Sequence, residues 1–178
     1  MSEQLGLIQV GSTTDYPLQI LSKQLSKKFP DMKMQTLPPM QEVEEARDSF
    51  RNQYHSTRIL AIIERWVDTA RVARSLGVAS FDLYVPGMNF VFGEARCPGR
   101  AAVISTYRLK TSVPYESILF GKRVLKEAVH EIGHTLGLRH CADPKCVMYF
   151  SEQLRDTDRK LENFCGACDQ KLDLLKVG

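Results

Sequence analysis

The chain has 178 residues, of which 43% are hydrophobic, enough for one domain with a substantial buried core. Its formal net charge of +3 is too small to indicate binding to nucleic acid or to a membrane surface. No apolar run approaches the roughly 20 residues of a membrane span, and no basic residues precede the short apolar run near the N-terminus, as they would in a secretory signal. We therefore expect a cytoplasmic protein whose cysteines are thiols or metal ligands.

The first part of the chain predicts a β-α-β unit. Apolar residues from Leu5 to Val10 indicate a buried strand, and Thr14 or Asp15 is suited to cap a helix that Pro30 closes. The segment from Met32 to Leu37 predicts a second strand. Two such strands pair in parallel through a right-handed crossover.

The middle of the chain predicts a long helix followed by short strands. Apolar residues recur at helical spacing from Ser56 to Leu76, and Gly77 is expected to end that helix. His55, just before it, fits a surface or capping residue. Alternating patterns then predict three strands, at residues 81–85, 89–96 and 101–109. Gly93, inside the second of them, suggests a bulge at a sheet edge.

The most informative stretch is residues 127–146, EAVHEIGHTLGLRHCADPKC. We expect it to continue a helix that begins near Lys122, in which His134 follows His130 at i+4, displaced about 40° around the axis. Both imidazoles then face one point, as a tetrahedral zinc site requires. Glu131 lies on the flank of the same face, where it can reach a metal-bound water without coordinating the metal.

His140 completes the pattern HExxHxxGxxH only if the helix stops before it. In a continuous helix, its offset from His134 would turn it about 240° around the axis, away from the metal. A glycine tolerates positive φ, so Gly137 can end the helix and bring His140 back as the third ligand. HExxH alone also arises by chance, but the added glycine and third histidine make coincidence a poor explanation.

Four of the five cysteines form a second cluster, downstream of the histidines. They occur as two pairs with x4 and x2 spacing, a layout typical of zinc sites, at Cys141, Cys146, Cys165 and Cys168. The alternative is four unrelated buried thiols. Residues 138–178 contain few large apolar side chains, and segments of that size usually need a staple. We expect a structural zinc to provide it.

The two predicted sites differ in their chemistry. Four thiolates close a tetrahedron around zinc, whereas three histidines leave a fourth position for water. Zinc lowers the pKa of that water towards about 7 and polarises the scissile carbonyl, while Glu131 takes the proton as general base. The implied reaction is hydrolysis of an amide bond without a covalent intermediate.

These motifs carry a family resemblance. HEIGHTLGLRH resembles the metzincin clan of zinc peptidases, and CADPKCVM with the later CGAC is similar to the archaemetzincin family. Matched by position, the catalytic zinc falls on His130, His134 and His140, the base on Glu131, and the second zinc on Cys141, Cys146, Cys165 and Cys168. Met148 takes the place of the methionine whose turn underlies the catalytic metal in metzincins.

The resemblance also implies a fold. It is an α/β (α+β) metzincin-like zincin with a mixed β-sheet, long helices, an active-site helix and a small zinc-stapled C-terminal subdomain. The single peptidase domain, 1–178, would divide near Gly137 into residues 1–137 and 138–178, with a cleft between them. The segment from Asn89 to Arg96 resembles the substrate-side edge strand of metzincins.

The prediction is therefore a zinc metallopeptidase with two zinc ions per chain, acting on a peptide or protein. The alternative is a zinc-stabilised peptide-binding module with little or no turnover, but a pure binding site has no use for Glu131 as a base. A zinc knuckle contacting nucleic acid is disfavoured, because basic residues near the cysteines alternate with acidic ones. We expect no nucleic-acid or membrane partner, and a monomer.

Cys97, in the sequence RCPG, belongs to neither cluster. The simplest interpretation is a free thiol at the surface. The alternative is that it reaches the catalytic zinc as an inhibitory ligand.

Overall fold

The computed structural model describes residues 3–12, 14–41, 43–110 and 118–177. The strands are β1 (Glu3–Val10), β2 (Met32–Thr36), β3 (Arg47–Asp48), β4 (Gln53–His55), β5 (Arg74–Ala79), β6 (Leu83–Tyr84), β7 (Gly93–Ala95) and β8 (Ala101–Ser105). A mixed sheet has the order β2-β1-β5-β8-β7, and β3, β4 and β6 form a smaller one. In the large sheet β7 pairs antiparallel and the other strands pair in parallel. The predicted β-α-β opening is thereby confirmed.

Helices cover both faces of the large sheet. They are α1 (Leu18–Lys28), α2 (Ser56–Ala70), α3 (Ile118–Thr135), α4 (Leu154–Arg159) and α5 (Gly166–Val177). Strand alternation separates two cores: Leu5 and Leu7 pack with α1 and α3, whereas Ile8 and Val10 pack with α2. This mixed α/β architecture confirms the predicted fold class. Within the described ranges, no helix is both long and apolar enough to cross a membrane.

The prediction of one helix from Ser56 to Leu76 is wrong at its C-terminal end. Helix α2 stops at Ala70, because Arg71 adopts a left-handed conformation with φ of 55°. The following residues form β5, between β1 and β8. A strand buried on both faces carries apolar residues on both of them, as Leu76, Val78 and Ala79 do in β5, so its sequence pattern resembles that of a buried helix. Gly77 is crowded inside this strand: a Cβ would lie 2.7 Å from Ile63 Cδ1.

Strand β7 is the exposed edge of the large sheet beside α3. It pairs with β8 in unbroken register, Gly93 opposite Ile104 and Ala95 opposite Ala102, so the bulge predicted from Gly93 is wrong. The glycine has another reason, the approach of α3 described below. Residues 111–117, between β8 and α3, lie outside the described residues.

Polar contacts attach the C-terminal segment to α3. Arg123 forms a double hydrogen bond with the Asp158 carboxylate, with both distances 2.7 Å. Lys126 donates through Nζ to the carbonyl oxygens of Thr157 and Asp158, at 2.9 and 3.1 Å. The sequence predicts only a structural zinc to hold this segment in place, and that prediction is incomplete. These contacts hold α4 against the helix that carries the histidines.

Candidate active site

The end of α3 is shaped by Gly137, as the sequence predicts. Gly137 has a φ of 100°. Its N–H donates to the carbonyl of His134 at 2.9 Å, and the N–H of Leu138 donates to that of Gly133 at 3.0 Å. This pair of bonds is the Schellman motif, which turns the chain away from the helix axis. His140 thereby returns to the two histidines of α3.

The three histidines place one ring nitrogen each within 4.8 Å of one another. His130 Nδ1 lies 2.8 Å from the carbonyl of Val147, and His134 Nδ1 lies 2.7 Å from that of Leu138. A carbonyl oxygen only accepts, so both Nδ1 atoms carry the proton and both Nε2 atoms present lone pairs. These two Nε2 atoms are 3.1 Å apart. Lone pairs facing each other at this distance are suited to share a cation.

The geometry and charge of the site fit zinc. A tetrahedral ion with zinc–nitrogen bonds of about 2.0–2.1 Å separates its ligand atoms by about 3.3 Å. Partial loss of contact with water lowers the pKa of His134 and of the more exposed His140, and full burial lowers the pKa of His130 well below the usual range. Neutral imidazole is the form that binds metal. Three such ligands leave one coordination position open.

Glu131 is buried beside the histidines, and its Oε2 has no hydrogen-bond partner among the residues that the structure describes. Burial raises the pKa of this carboxyl well above its usual range, and the nearby Glu127 adds to the rise while Lys160 opposes it. A Cβ on Gly93 would lie 2.6 Å from Glu131 Oε1 and 2.7 Å from the carbonyl oxygen of Val103. The carboxylate thus packs directly against the backbone of β7, and a glycine leaves it room.

The four clustered cysteines also converge. Their sulfurs all lie within 4.8 Å of one another, at Cys141, Cys146, Cys165 and Cys168. Two sulfur pairs are separated by 3.8 and 3.7 Å, Cys141 with Cys165 and Cys146 with Cys168. A tetrahedral zinc with bonds of about 2.3 Å separates its sulfurs by about 3.8 Å, whereas a disulfide requires about 2.05 Å. This geometry fits one closed zinc site and no disulfide.

Comparison with known protein families identifies a peptidase family. The family model named Peptidase family M54 matches residues 17–174, nearly the whole chain. The chain belongs to peptidase family M54.

Curated relatives of this M54 peptidase are named archaemetzincins. One from Archaeoglobus fulgidus is 41% identical over 165 residues, covering 93% of this chain and 96% of the relative. One from Methanopyrus kandleri is 47% identical over 129 residues, covering 72% of this chain and 71% of the relative. The resemblance to archaemetzincins is confirmed.

Solved archaemetzincin structures share the fold. The crystal structure from Methanopyrus kandleri has a TM-score of 0.83 and 36% identity, and the match covers 99% of this chain and 97% of that one. The structure from Archaeoglobus fulgidus, a complex with malonate, has a TM-score of 0.82 and 41% identity, covering 94% and 99%. Membership of M54 makes this protein a zinc metallopeptidase with a peptide substrate.

In this M54 peptidase, Met148 packs against the turn of α3 that carries the histidines. Met148 is completely buried. A Cβ on Gly133 would approach its Sδ to 2.5 Å, so the thioether fills the place that a larger residue would need. The neighbouring Val147 supplies the carbonyl that orients His130. The segment after the first cysteine pair therefore packs beneath the turn of α3 that carries His130 and His134.

A cavity of about 350 Å³ opens between β7 and the histidines. Its apolar wall consists of Val85, Met88, Phe90 and Phe150. Cys97 also lines this cavity, where it is half-buried and donates through Sγ to the carbonyl of Leu138 at 3.3 Å. It is a free thiol inside the cleft and not on the open surface. It is not among the ligand atoms that converge with the histidines.

Several residues of this site were not found by sequence reasoning. Val147 and Leu138 act through backbone carbonyls, which leave no trace in residue identity. Glu127 and Lys160 form a buried ion pair next to Glu131. Glu127 could have been found from its i−4 spacing to Glu131 on one helix face, but its lysine partner lies far along the chain.

Proposed function

We propose that this M54 peptidase hydrolyses peptide bonds with zinc held by His130, His134 and His140 and with Glu131 as general base. The observation that carries the proposal is the facing pair of Nε2 lone pairs, 3.1 Å apart, with both Nδ1 protons engaged by carbonyls. Bound zinc would supply a Lewis acid that activates water and polarises the scissile carbonyl.

Glu131 is placed to move the proton. Its Oε2 is buried without a hydrogen-bond partner, so a lone pair remains for a proton from water in the cleft. Its Oε1 is confined by Gly93, which fixes the carboxylate relative to the edge strand. The same carboxyl group can then donate that proton to the leaving amine. A general base held in this position favours peptide hydrolysis as the function over peptide binding alone.

The edge strand β7 offers backbone groups to a substrate. The carbonyl of Phe92 accepts from Ser105 N, and the N–H of Arg96 donates to Ala101, so these two residues bond towards β8. Antiparallel strands alternate their bonding direction, and the N–H and C=O groups of Gly93 and Ala95 therefore face the open edge. An extended peptide can add there as a further strand. Its scissile bond would then lie near Glu131.

The four cysteines are proposed to hold the second zinc, in a structural role. Four thiolates leave no open position for a substrate. The same segment carries His140, the carbonyl of Val147 and Met148, so its placement determines the shape of the catalytic site. We therefore propose a division into residues 1–137 and 138–178, in which this zinc holds the second part together and the contacts of α4 attach that part to α3.

The test is digestion of a peptide library, read by mass spectrometry, with zinc-loaded, chelator-treated and zinc-reconstituted protein. Cleavage that is lost with the metal and regained with zinc is expected. Peptides that bind to the zinc-loaded protein and are recovered intact would overturn the proposal in favour of a peptide-binding module.

A further inference from the structure

Lys160 is a buried cation that the proposed reaction does not use. Its side chain is 0% exposed, and its Nζ lies 3.0 Å from Oε1 of Glu127, which is 3% exposed. In contrast, the ion pair of Arg123 with Asp158 leaves that carboxylate 36% exposed. Removing two charges from water costs several kcal/mol for each ion, so a fully buried pair is weak evidence of a contribution to stability.

Glu127 belongs to the surroundings of the catalytic groups. It precedes Glu131 by one helical turn, so both carboxylates lie on one face of α3. Both also line the cavity that contains the three histidines. Two contacts hold Glu127, and both come from the C-terminal segment: the ion pair with Lys160 and a 2.8 Å hydrogen bond from Thr157 Oγ1.

Two carboxylates at i and i+4 repel each other, and both would attract a cation bound between the histidines. Lys160 changes this balance, because its ammonium group forms an ion pair with Oε1 of Glu127 at 3.0 Å, whereas no ion-pair partner of Glu131 is found among the described residues. One carboxylate is thereby neutralised and the other remains available.

We propose that Lys160 is a positioning residue: by pairing with Glu127, it leaves Glu131 as the carboxylate that faces the metal site. This inference rests on the proposed function of Glu131. It also gives the C-terminal segment a direct electrostatic role in catalysis, beyond supplying His140. Since Lys160 is completely buried, it touches no substrate, and its effect should fall on kcat and not on KM.

The positive charge of Lys160 should also change how tightly zinc binds at the histidines. A buried ammonium near the three histidines repels a divalent cation, and the Glu127 carboxylate attracts it. Removing Lys160 should therefore strengthen zinc binding at the histidines, whereas removing the charge of Glu127 should weaken it. A purely structural role predicts weaker zinc binding in both cases, because a loosened site holds its ligands poorly.

The experiment compares Lys160→Met, Glu127→Gln and the double variant with the parent protein. Zinc affinity of the histidine site is measured by competition with a chromophoric chelator, and kcat and KM are measured on a peptide that the parent cleaves. We expect Lys160→Met to bind zinc several-fold more tightly and to lose about tenfold in kcat with KM nearly unchanged. The double variant should regain most of that kcat, because the uncharged glutamine at position 127 no longer competes with Glu131.

Lys126→Met is the matched control. Lys126 is another buried lysine of the same interface, but its Nζ donates to backbone carbonyls. Its replacement should lower the melting temperature and leave kcat and zinc affinity close to those of the parent. If Lys160→Met does not fold, Lys160→Gln serves the same test, because its amide can donate to Glu127 without supplying a charge.

The inference is overturned if the Lys160 variants bind zinc more weakly, keep the parent kcat, or match Lys126→Met in both readouts. A parent protein that hydrolyses no peptide would instead contradict the proposed function. In that case the zinc affinities still test the electrostatic effect of Lys160 separately.

Discussion

Replacing Gly93 by alanine tests how closely the edge strand confines the proposed base. The added Cβ would lie 2.6 Å from Glu131 Oε1, about 0.8 Å short of an ordinary van der Waals contact. The carboxylate must therefore move, or β7 must separate from it. A displacement of about 1 Å in a catalytic group can cost about 100-fold in rate. We expect kcat/KM to fall by about 10- to 100-fold with zinc content unchanged.

The Cβ would also meet the carbonyl of Val103 at 2.7 Å, so a loss of stability of about 1–3 kcal/mol is expected as well. Activity must therefore be measured on folded, zinc-loaded protein well below its melting temperature. Gly166→Ala is the matched control, since apart from its chain neighbours and its own helix no heavy atom of a described residue lies within 4 Å of the added Cβ. It should retain parental activity.

A second comparison isolates the contact with the carboxylate. Glu131→Ala removes both atoms of this side chain that the added Cβ would meet, Oε1 at 2.6 Å and Cγ at 2.8 Å. Adding Gly93→Ala to that variant should therefore cost less stability than adding it to the parent, because only the contact with the Val103 carbonyl remains. Full activity of Gly93→Ala in the parent, or an equal loss of stability from Gly93→Ala in the parent and in Glu131→Ala, would contradict this explanation.

Two predictions concern the C-terminal segment and the metals. Cys168→Ser removes one proposed ligand of the second zinc, and metal binding in such sites contributes directly to folding. We therefore expect weaker zinc retention at the second site and at the histidines, lower activity and faster proteolysis after Gly137. Cys97→Ser is the control with the same chemical change, and it should leave all four measurements nearly unchanged. An intact, fully active Cys168→Ser protein with two zinc ions would contradict a structural role for the second zinc. Elemental analysis of reduced protein should find two zinc ions per chain, and a mild chelator should remove one first, because His140 is exposed while Cys146 and Cys168 are buried. A single zinc would exclude the four-cysteine site.

The local geometry of the active site was predictable because it depends on few residues close in sequence. HEIGHTLGLRH contains the i, i+4 histidines, the glycine that ends α3 and the returning His140. Gly137 does adopt positive φ and does form the expected helix end. The cysteine spacing likewise predicted a convergence that the structure shows, over a separation of only 27 positions from Cys141 to Cys168.

Features that depend on distant packing were not predictable in this way. The strand β5 follows α2 after a short connection, and its apolar residues continue the pattern of the helix because both of its faces are buried. The sequence marks Gly93 as unusual, but the glycine is needed there because the Glu131 carboxylate on α3 approaches it closely, and not because β7 contains a bulge. The pairing of Lys160 with Glu127 joins residues from separate segments, and no local pattern indicates it.

The role of Glu131 as general base is tested most directly by comparing the turnover of zinc-loaded Glu131→Gln with that of the parent on the same peptide. Glutamine keeps the size and shape of the side chain but cannot accept the proton. If Glu131 is the general base, zinc content and melting temperature are unchanged and kcat/KM falls by at least about 100-fold. Parental turnover by a fully zinc-loaded Glu131→Gln protein would contradict it.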